Sequence, residues 1–317
     1  MPSPERLGPE RDVCRFAPST TGEAHPGTLL AALLAWLDAR SRGAHFIVRL
    51  EDLDPERCKP AWSDAMLRDL EWLGIDWDET VIQSTRAEAH DAALDQIAAA
   101  GKLYPCDVSR SDIKRHGQRS PDGGFAYPNL SRGASLPHQG WRHCAQPLRA
   151  RLSDITYAPQ EESSRDLTQR PALAMGDPIV RRRDGAVAYN LAVIVDDAES
   201  GVTRIVRGHD IAASTATQMA LMDLLGIPAP TYRHHLLLLE PRGDKLAKLH
   251  GSVGASELRA SYEPAALCAT LLAFAGVLEN PDPVTPSEVL GTFDWQRVSE
   301  EDVAVHWNAA DGTLQKI

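Results

Sequence analysis

The sequence predicts an α/β domain built on a parallel sheet, and the N-terminal segments carry this prediction. An apolar stretch, DVCRFAP, has the pattern of a short buried strand that ends at Pro18. A turn rich in Gly and Thr, STTGEAHPGT, leads into LLAALLAWLDARSRG, which is apolar at helical spacing and ends at Gly43. An alternating segment, HFIVRLED, follows as a second strand. Strand, helix and strand in this order form a βαβ unit with parallel strands, as in a Rossmann-like fold.

The remaining segments predict an insertion and a second half of the same sheet. Helical patterns occur in AWSDAMLRDLEWLGI and AEAHDAALDQIAAAG, after which Gly, Pro, Ser and Arg dominate. AVAYNLAVIVDDAESGVTRIVRG predicts two apolar strands joined at Ser200-Gly201, ASTATQMALMDLLG predicts a helix that ends at Gly226, and HHLLLLE is strand-like. We expect four regions: the two halves of the main domain at 12–103 and 184–252, a basic insertion at 104–183, and a short helical C-terminal appendage at 253–317.

The composition is typical of a soluble globular protein. The chain has 317 residues, 43% hydrophobic and 24% charged, which suits about two domains or one elaborated domain. It has no run of 18 apolar residues, and its polar start lacks the apolar segment of a secretory signal. The five cysteines are scattered and never spaced C-x-x-C. We therefore expect no membrane span, no disulfide scaffold and a cytoplasmic location.

The charge is unevenly distributed. The formal net charge of -11 argues against a general nucleic-acid coating protein. Between Lys102 and Arg183, however, 14 basic residues face 8 acidic ones, whereas residues 255–317 carry 3 basic and 10 acidic residues. The basic segment could bind an anionic partner locally, or it could be a solvated loop region with surplus arginine.

Two short motifs contain residues suited to phosphate chemistry. STTGEAHPGT is neither a Walker loop nor G-x-G-x-x-G, but Gly22 and Gly27 flank His25 just before a helix N-terminus, where backbone N–H groups favour phosphate. KLAKLHG carries Lys245 and Lys248, which could neutralise charge on a triphosphate. Taken singly, the first is an ordinary turn and the second an ordinary basic loop.

Taken together and in this order, these motifs resemble those of the class I glutamyl-tRNA synthetase family. RFAPSTTGEAHPGTLLAALLAW is similar to the family's HIGH region, RLEDLDPER to its RxEDTD stretch, and KLAKL to its KMSKS loop. AYNLAVIVDD and VTRIVRGHDI look like its second-half strands. The resemblance covers roughly residues 13 to 250, and it implies the Rossmann-like catalytic domain of a class I aminoacyl-tRNA synthetase.

The resemblance also implies roles for individual residues. Arg15 would pair with a carboxylate of L-glutamate and Glu51 would hold its ammonium group, with Tyr189 and Arg207 completing the pocket. The strand end that frames this pocket comprises Arg15, Phe16, Ala17, Pro18 and Ser19. ATP would be bound, with Mg²⁺, by Pro18, Gly22, His25, Gly27, Thr28, Lys245 and Lys248. His25 and Lys248 would act as catalytic residues by stabilising charge on the phosphates.

The short C-terminal region makes the chain resemble one subgroup of this family in particular. Synthetases of this family carry a large helical anticodon-binding region after the KMSKS loop, whereas only about 65 residues, acidic overall, follow here. Short chains of this design resemble the glutamyl-queuosine tRNA(Asp) synthetases. These enzymes activate glutamate with ATP and attach it to the queuosine base at the wobble position of tRNA(Asp). The resemblance thus implies tRNA(Asp) carrying queuosine as the partner, and we expect a monomer.

Three positions depart from the family pattern. Ala247 stands where the loop usually has serine, and Thr28 replaces the second histidine of HIGH. Short members often hold zinc through C-x-C…Y-x-x-x-C, but the matching positions here are Cys106, Val108, Tyr127 and Ser131. This set is incomplete for structural zinc, and Cys144 and His116 are the substitutes nearest in sequence. We therefore expect structural zinc to be absent.

Three alternative functions remain open on sequence alone. The chain could be a truncated glutamyl-tRNA synthetase that charges a tRNA 3′ end, although its acidic C-terminus counts against this. It could be a non-catalytic RNA-binding paralogue, which Ala247 favours and the retained motif residues oppose. A nucleotidyltransferase that uses another acid fits poorly with the combination of Glu51, Tyr189 and Arg207.

Overall fold

The computed structural model describes residues 11–241, 243 and 253–317. Helices and strands are numbered separately in chain order. The strands are β1 (Val13–Phe16), β2 (His45–Leu50), β3 (Glu79–Ile82), β4 (Leu103–Pro105), β5 (Leu148–Ala150), β6 (Ile179–Arg181), β7 (Arg204–Gly208), β8 (Thr231–His235), β9 (Leu238–Leu239), β10 (Val303–Asn308) and β11 (Thr313–Lys316). The helices are α1 (Pro26–Ser41), α2 (Pro60–Trp72), α3 (Ala87–Ala99), α4 (Arg110–His116), α5 (Pro171–Ala174), α6 (Tyr189–Glu199), α7 (Thr215–Leu225), α8 (Ala255–Ser261), α9 (Pro264–Phe274) and α10 (Pro286–Leu290).

Five parallel strands form the central sheet in the order β3-β2-β1-β7-β8. After β1 the chain crosses to β2, which pairs with one edge of β1. Strand β7, from the second half of the domain, pairs with the other edge of β1. In open α/β sheets, ligands bind outside the carboxyl ends of the strands at such a point of divergence. The predicted parallel α/β fold is confirmed, and its topology places a site at the carboxyl ends of β1 and β7.

Helix α1 is apolar around most of its circumference because it is covered on more than one side. Its middle residues, including Leu29, Leu33 and Leu37, are fully buried. It packs on β1 and β7 and also contacts α9 and α10 from the C-terminal region. A helix that is hydrophobic all round belongs in a core rather than on a surface. The N-terminus of α1 is therefore held rigidly beside the sheet.

The segment that begins the second half is helical, which corrects the sequence prediction. AVAYNLAVIVDD was predicted as a strand, but Tyr189–Glu199 forms α6, which packs against α3 and α7. A continuous apolar run fits a buried helix as well as a buried strand, and only the neighbours decide between them. The second predicted strand is confirmed as β7. HHLLLLE is only partly strand, because β8 ends at His235 and β9 comprises two residues.

The insertion forms a small antiparallel sheet, β4-β5-β6, and also contains α4 and α5. Its later segment also reaches back to the central sheet. The Tyr232 backbone N–H donates to Gln160 (2.8 Å), and that of Glu162 donates to Tyr232 (3.0 Å). Residues 160–162 thus extend the edge of the sheet beyond β8, so the insertion is anchored to the main domain.

The C-terminal region is not wholly helical, which corrects the prediction of a helical appendage. After α8, α9 and α10 it ends in an antiparallel hairpin of β10 and β11. Strand β10 also pairs in parallel with β9 of the main domain. The alternation in VAVHWN is the local signal for this strand, with Val303 and Val305 buried.

Among the described residues, no helix combines the length and the apolar character required to cross a membrane.

Candidate active site

A cavity of about 280 Å³ lies at the carboxyl edge of the central sheet. Its wall on one side comes from the turn between β1 and α1, and on the other from the segments that follow β7 and β8. The lining includes Phe16, Pro18, Ser19, Thr21, Glu23, His25, Gly27, Thr28, Gly208, Asp210, His235, Leu236, Leu237 and Leu238. One end of the cavity thus meets a helix N-terminus and the other an apolar wall, an arrangement that suits an anionic nucleotide.

His25 caps the helix that points into this cavity. Its backbone is extended, and its Nδ1 accepts from the Thr28 N–H (3.3 Å), so the imidazole satisfies one of the free donors of α1. Pro26 begins the helix. A Cβ at Gly27 would lie 3.1 Å from His25 Cε1, so a side chain there would press on the imidazole. The predicted pair of His25 and Gly27 is therefore one packed unit at the cavity wall.

A second cavity of about 160 Å³ adjoins the first, and both are lined by Ser19 and Thr21. The second cavity adds Glu51, Gln83 and Tyr189. Ser19 and Glu51 face each other across a bridge that prolongs the pairing of β1 with β2. Two touching cavities of this kind can hold two reactants side by side.

Charged groups are concentrated beneath the second cavity. Asp197 of α6 accepts from Arg15 Nε (3.2 Å) and from Arg49 Nη1 (2.5 Å), and Arg49 Nη2 also donates to Glu51 (3.3 Å). These four residues are at most 8% exposed. Burial raises the pKa of Glu51, against the opposing effect of Arg49 and Arg15. A bound ammonium group would therefore stabilise the Glu51 carboxylate.

Tyr189 lies over this charged cluster at the start of α6. Although 42% of the residue is exposed, desolvation in the pocket and the nearby Glu51 carboxylate raise the pKa of its phenol. The positive charges of Arg207 and Arg15 act on it in the opposite direction. The structure therefore gathers Glu51, Tyr189, Arg207 and Arg15 into one electrostatic environment.

Arg207 is a buried cation held by neutral acceptors. It donates through Nε to His234 (3.0 Å), through Nη1 to Gln218 (2.8 Å) and through Nη2 to Thr215 (2.8 Å). Within the described chain no carboxylate lies within 4.0 Å of it, whereas Arg15 and Arg49 share Asp197. Burial lowers the pKa of Arg207. Such an arginine is poised to receive a carboxylate from outside the protein.

Most of the residues proposed from sequence thus fall around the two cavities. Ala17 and Gly22 belong to the same turn, but neither lines one of these two cavities. Arg15 and Arg207 are buried behind the cavity walls and are not among the lining residues either. Ala247 and the predicted phosphate-binding lysines, Lys245 and Lys248, lie outside the described residues.

Sequence reasoning missed the residues that hold this site in place. They are Arg49, Gln83, His90, Glu161, Asp196, Asp197, Thr215, Gln218 and His234. Asp196 accepts from Gln83 (2.6 Å) and pairs with His90 (2.8 Å), both buried. Two adjacent aspartates within an apolar run were a usable signal, since buried carboxylates require partners. The prediction of a strand there concealed it.

At the positions where short members of the family often hold zinc, the insertion places an arginine beside the cysteine. Cys106 Sγ donates to the Tyr127 hydroxyl (3.4 Å), and Arg149 Nε donates to the same sulfur (3.2 Å). The Arg149 guanidinium also lies 3.6 Å from the centre of the Tyr127 ring. Cys144 packs in a different hydrophobic cluster from Cys106. The described residues contain no group of three or more potential metal ligands, and a fixed cation at Cys106 does not fit zinc.

A parallel sheet with a capped helix N-terminus beside two adjoining cavities is the arrangement of a nucleotide-dependent catalytic domain. Residues 13–307 match the family model for the catalytic domain of the class I tRNA synthetases (E and Q). The chain belongs to this family, a group of ATP-using ligases.

Individual relatives agree with this assignment. The chain is 39% identical over 313 residues to a glutamyl-Q tRNA(Asp) synthetase of Symbiobacterium thermophilum, covering 92% of this chain and 95% of the relative. It is 43% identical over 244 residues to the protein of the same name from Geobacter sulfurreducens, covering 74% and 75%. Among solved structures, it resembles a glutamate tRNA ligase from Elizabethkingia meningosepticum with a TM-score of 0.75 and 25% identity. That match covers 92% of this chain and 66% of the longer ligase.

Proposed function

We propose that this protein activates L-glutamate with ATP and transfers the glutamyl group to the queuosine base at the wobble position of tRNA(Asp). The observation that carries the proposal is Arg207, a buried guanidinium without a carboxylate partner in the described chain, beside Glu51 and Tyr189. An amino acid with a second carboxylate supplies what this pocket lacks. Arg207 would receive a carboxylate, Glu51 the ammonium group, and Arg15 would add positive charge.

The adjoining larger cavity would hold ATP. The triphosphate would lie towards His25, Gly27 and Thr28 at the N-terminus of α1, and the adenosine towards the apolar wall of Leu236, Leu237 and Leu238. The α-carboxylate of glutamate then attacks the α-phosphorus, and pyrophosphate leaves as glutamyl-adenylate forms. The protein contributes mainly position and charge, with His25 and Lys248 stabilising the phosphate oxygens. Mg²⁺ would enter with ATP, whose phosphate oxygens it prefers as ligands.

In the second step a hydroxyl of queuosine attacks the carbonyl carbon of the adenylate, and AMP leaves. The names of the relatives support this acceptor over a tRNA 3′ end. The charge distribution supports the queuosine acceptor as well, because the 10 acidic residues in 255–317 make an unfavourable surface for a second contact with tRNA. The basic insertion would supply the main contact. We also propose that the protein is a monomer and acts in the cytoplasm, the usual location of this family.

Glutamate-dependent exchange of pyrophosphate into ATP, measured without tRNA, tests the first step. Wild type should exchange, and Lys248→Ala should abolish exchange while tRNA binding persists. Lys316→Ala, a change at the far C-terminus, serves as a matched charge control and should leave exchange unchanged. Exchange supported by aspartate or glutamine but not glutamate would overturn the proposed substrate.

Transfer of labelled glutamate to three RNAs tests the second step: tRNA(Asp) with queuosine, tRNA(Asp) without it, and tRNA(Glu). Label should appear only on the first and should survive removal of the 3′ terminal nucleotide. Label on tRNA(Glu) would instead establish a short glutamyl-tRNA synthetase. Absence of both exchange and transfer would favour a non-catalytic RNA-binding protein.

A further inference from the structure

A chain of buried hydrogen bonds connects the insertion to Arg207. Glu161, in the insertion, accepts from His234 through Oε2 (2.5 Å to Nδ1) and through Oε1 (3.1 Å to the backbone N). His234, at β8, accepts from Arg207 through its other ring nitrogen, Nε2 (3.0 Å). The side chains of Glu161 and His234 are 4% and 0% exposed, so solvent does not compete for these bonds.

The direction of every bond in this chain is fixed by one fact about arginine. A guanidinium can only donate, so Nε2 of His234 must be the acceptor and Nδ1 must carry the proton. That proton points at Glu161, a carboxylate that can only accept. Burial opposes the charge on Glu161, but the hydrogen bonds from His234 and Ser163 prevail and lower its pKa to about 2. Burial also lowers the pKa of His234, so the imidazole stays neutral near pH 7.

We propose that Glu161 is a positioning residue for glutamate recognition, because it sets the His234 tautomer that orients Arg207. This inference rests on the proposed function, in which Arg207 receives a substrate carboxylate. With the opposite tautomer, an N–H of His234 would face an N–H of Arg207, and the guanidinium would turn away from its present direction. Glu161 of the insertion therefore helps to orient the amino-acid pocket without contacting the amino acid.

Glu161→Gln tests this role with almost no change of shape. If the new side-chain amide donates to Nδ1 of His234, it imposes the wrong tautomer. If the side-chain carbonyl instead accepts from Nδ1–H, the tautomer is preserved, but the side-chain NH₂ then faces the backbone N–H groups of His234 and Ser163, which are also donors. We expect the KM for glutamate in pyrophosphate exchange to rise by roughly tenfold, the loss of about one charge-assisted hydrogen bond, with the KM for ATP almost unchanged.

The adjacent residue provides the matched control. Glu162 lies on the same sheet-edge segment and accepts from Arg204 (2.6 Å), away from Arg207. Glu162→Gln should lower the thermal midpoint and leave the KM for glutamate unchanged. If Glu161 merely fastened the segment, the two variants would behave alike, and equal effects on the KM would refute the positioning role.

A double-mutant cycle separates action through His234 from action by another route. The oxygen of the glutamine in His234→Gln can accept from Arg207 without a tautomer to set. Adding Glu161→Gln to that variant should then change the KM for glutamate by less than about twofold, against the tenfold effect in wild type. Additive effects in the cycle would contradict the proposal.

The tautomer can also be measured without any activity, from the ¹⁵N shifts of histidine-labelled protein. His234, assigned by comparison with His234→Gln, should show a protonated Nδ1 and an unprotonated Nε2, and Glu161→Gln should shift it towards the other form. A wild-type Nε2–H tautomer would overturn the inference even if exchange occurs. Failure of wild type to exchange, with the expected tautomer present, would instead count against the proposed function.

Discussion

At the scale of single residues, the site is distinguished by one buried arginine that has no carboxylate partner among the described residues. Arg15, Arg49 and Arg207 are all buried, but Asp197 accepts from the first two, whereas the described residues that accept from the third are all neutral. Burying a charge without a counter-charge is costly, so such an arginine persists where function requires it. The difference in partners, rather than the presence of arginine, distinguishes the proposed substrate contact.

Arg207→Lys tests this distinction. Lysine keeps the charge but presents a compact ammonium group in place of the planar fork that contacts His234, Gln218 and Thr215. We expect the KM for glutamate to rise by at least about tenfold, with little change in the KM for ATP. Arg233→Lys, at a neighbouring position on β8, is the control. An unchanged KM for glutamate in Arg207→Lys would remove this residue from the pocket.

His235 makes stability depend on pH. Burial lowers its pKa from 6.5 to about 4, so the unfolded chain binds a proton that the folded chain refuses. Stability from this group is complete above pH 6.5 and is lost as the pH falls towards 4, by on the order of 3 kcal/mol. Chemical denaturation at several pH values should show a smaller loss in that window for His235→Leu than for wild type.

The pH range and the comparison with His235→Leu together identify the group responsible. Glu161 has a pKa lowered from 4.5 to about 2, so its contribution disappears only below pH 4.5. The pKa of His234 is lowered as well, but His234 is present in both wild type and His235→Leu. The difference in stability loss between these two proteins therefore isolates His235. Identical slopes between pH 6.5 and 4 would contradict the assignment.

At the scale of elements, a continuous apolar run does not by itself reveal whether it forms a helix or a strand. LLAALLAWL and LAVIV are both continuous apolar runs, and both lie in buried helices. The first has a capping residue and a proline at its start, which made the helix predictable. The second begins after Ala188 without a side-chain cap, so only its packing against α3 and α7 identifies it.

We predict that the insertion folds without a metal ion. Arg149 contacts Cys106 and Tyr127, so a cation of the protein itself lies beside the residues that match the family's zinc pattern. Prolonged treatment with a chelator should leave the thermal midpoint unchanged, and the purified protein should contain zinc only in substoichiometric amounts. Arg149→Leu should lower stability by about 1–3 kcal/mol, because it leaves the buried Asp177 carbonyl without that donor. A midpoint that falls with chelation and recovers with added zinc would refute this prediction.

At the scale of the whole molecule, the C-terminal region is part of the main core. Leu267, Leu271 and Leu272 of α9 belong to the same hydrophobic cluster as the residues of α1. The region is also joined to Asp38, which accepts from Trp295 Nε1 (2.6 Å) and from Arg204 Nε (2.6 Å). Strand β10 adds to β9. We therefore expect this region and the main domain to unfold together.

Trp295→Phe tests this coupling. The change removes one donor to a buried carboxylate and should lower the free energy of unfolding by about 1–2 kcal/mol within a single transition. Trp77→Phe, which removes an exposed bond to Thr80, is the matched control and should cost less. Denaturant titration followed by circular dichroism gives both values. A separate early transition in Trp295→Phe would show that the C-terminal region unfolds as an independent unit.

The sequence by itself determined the parts of this protein whose signals are local. The strand, turn and helix around RFAPSTTGEAHPGT, the helix end at Gly226 and the basic composition of the insertion are readable because caps, breakers and periodicity act over a few residues. The order of its motifs also indicated the family. The proposed binding residues Arg15, Glu51, Tyr189 and Arg207 could therefore be named before their geometry was known.

Only the tertiary structure decided how these residues are held. The partners of Arg207 come from β8 and α7, and the Glu161 that orients its neighbour comes from the insertion. The shared carboxylate Asp197 contacts Arg15 across 182 positions of sequence. Such pairings depend on which strands lie side by side and on which charges are removed from water. Burial, and not the local sequence, determines their strength.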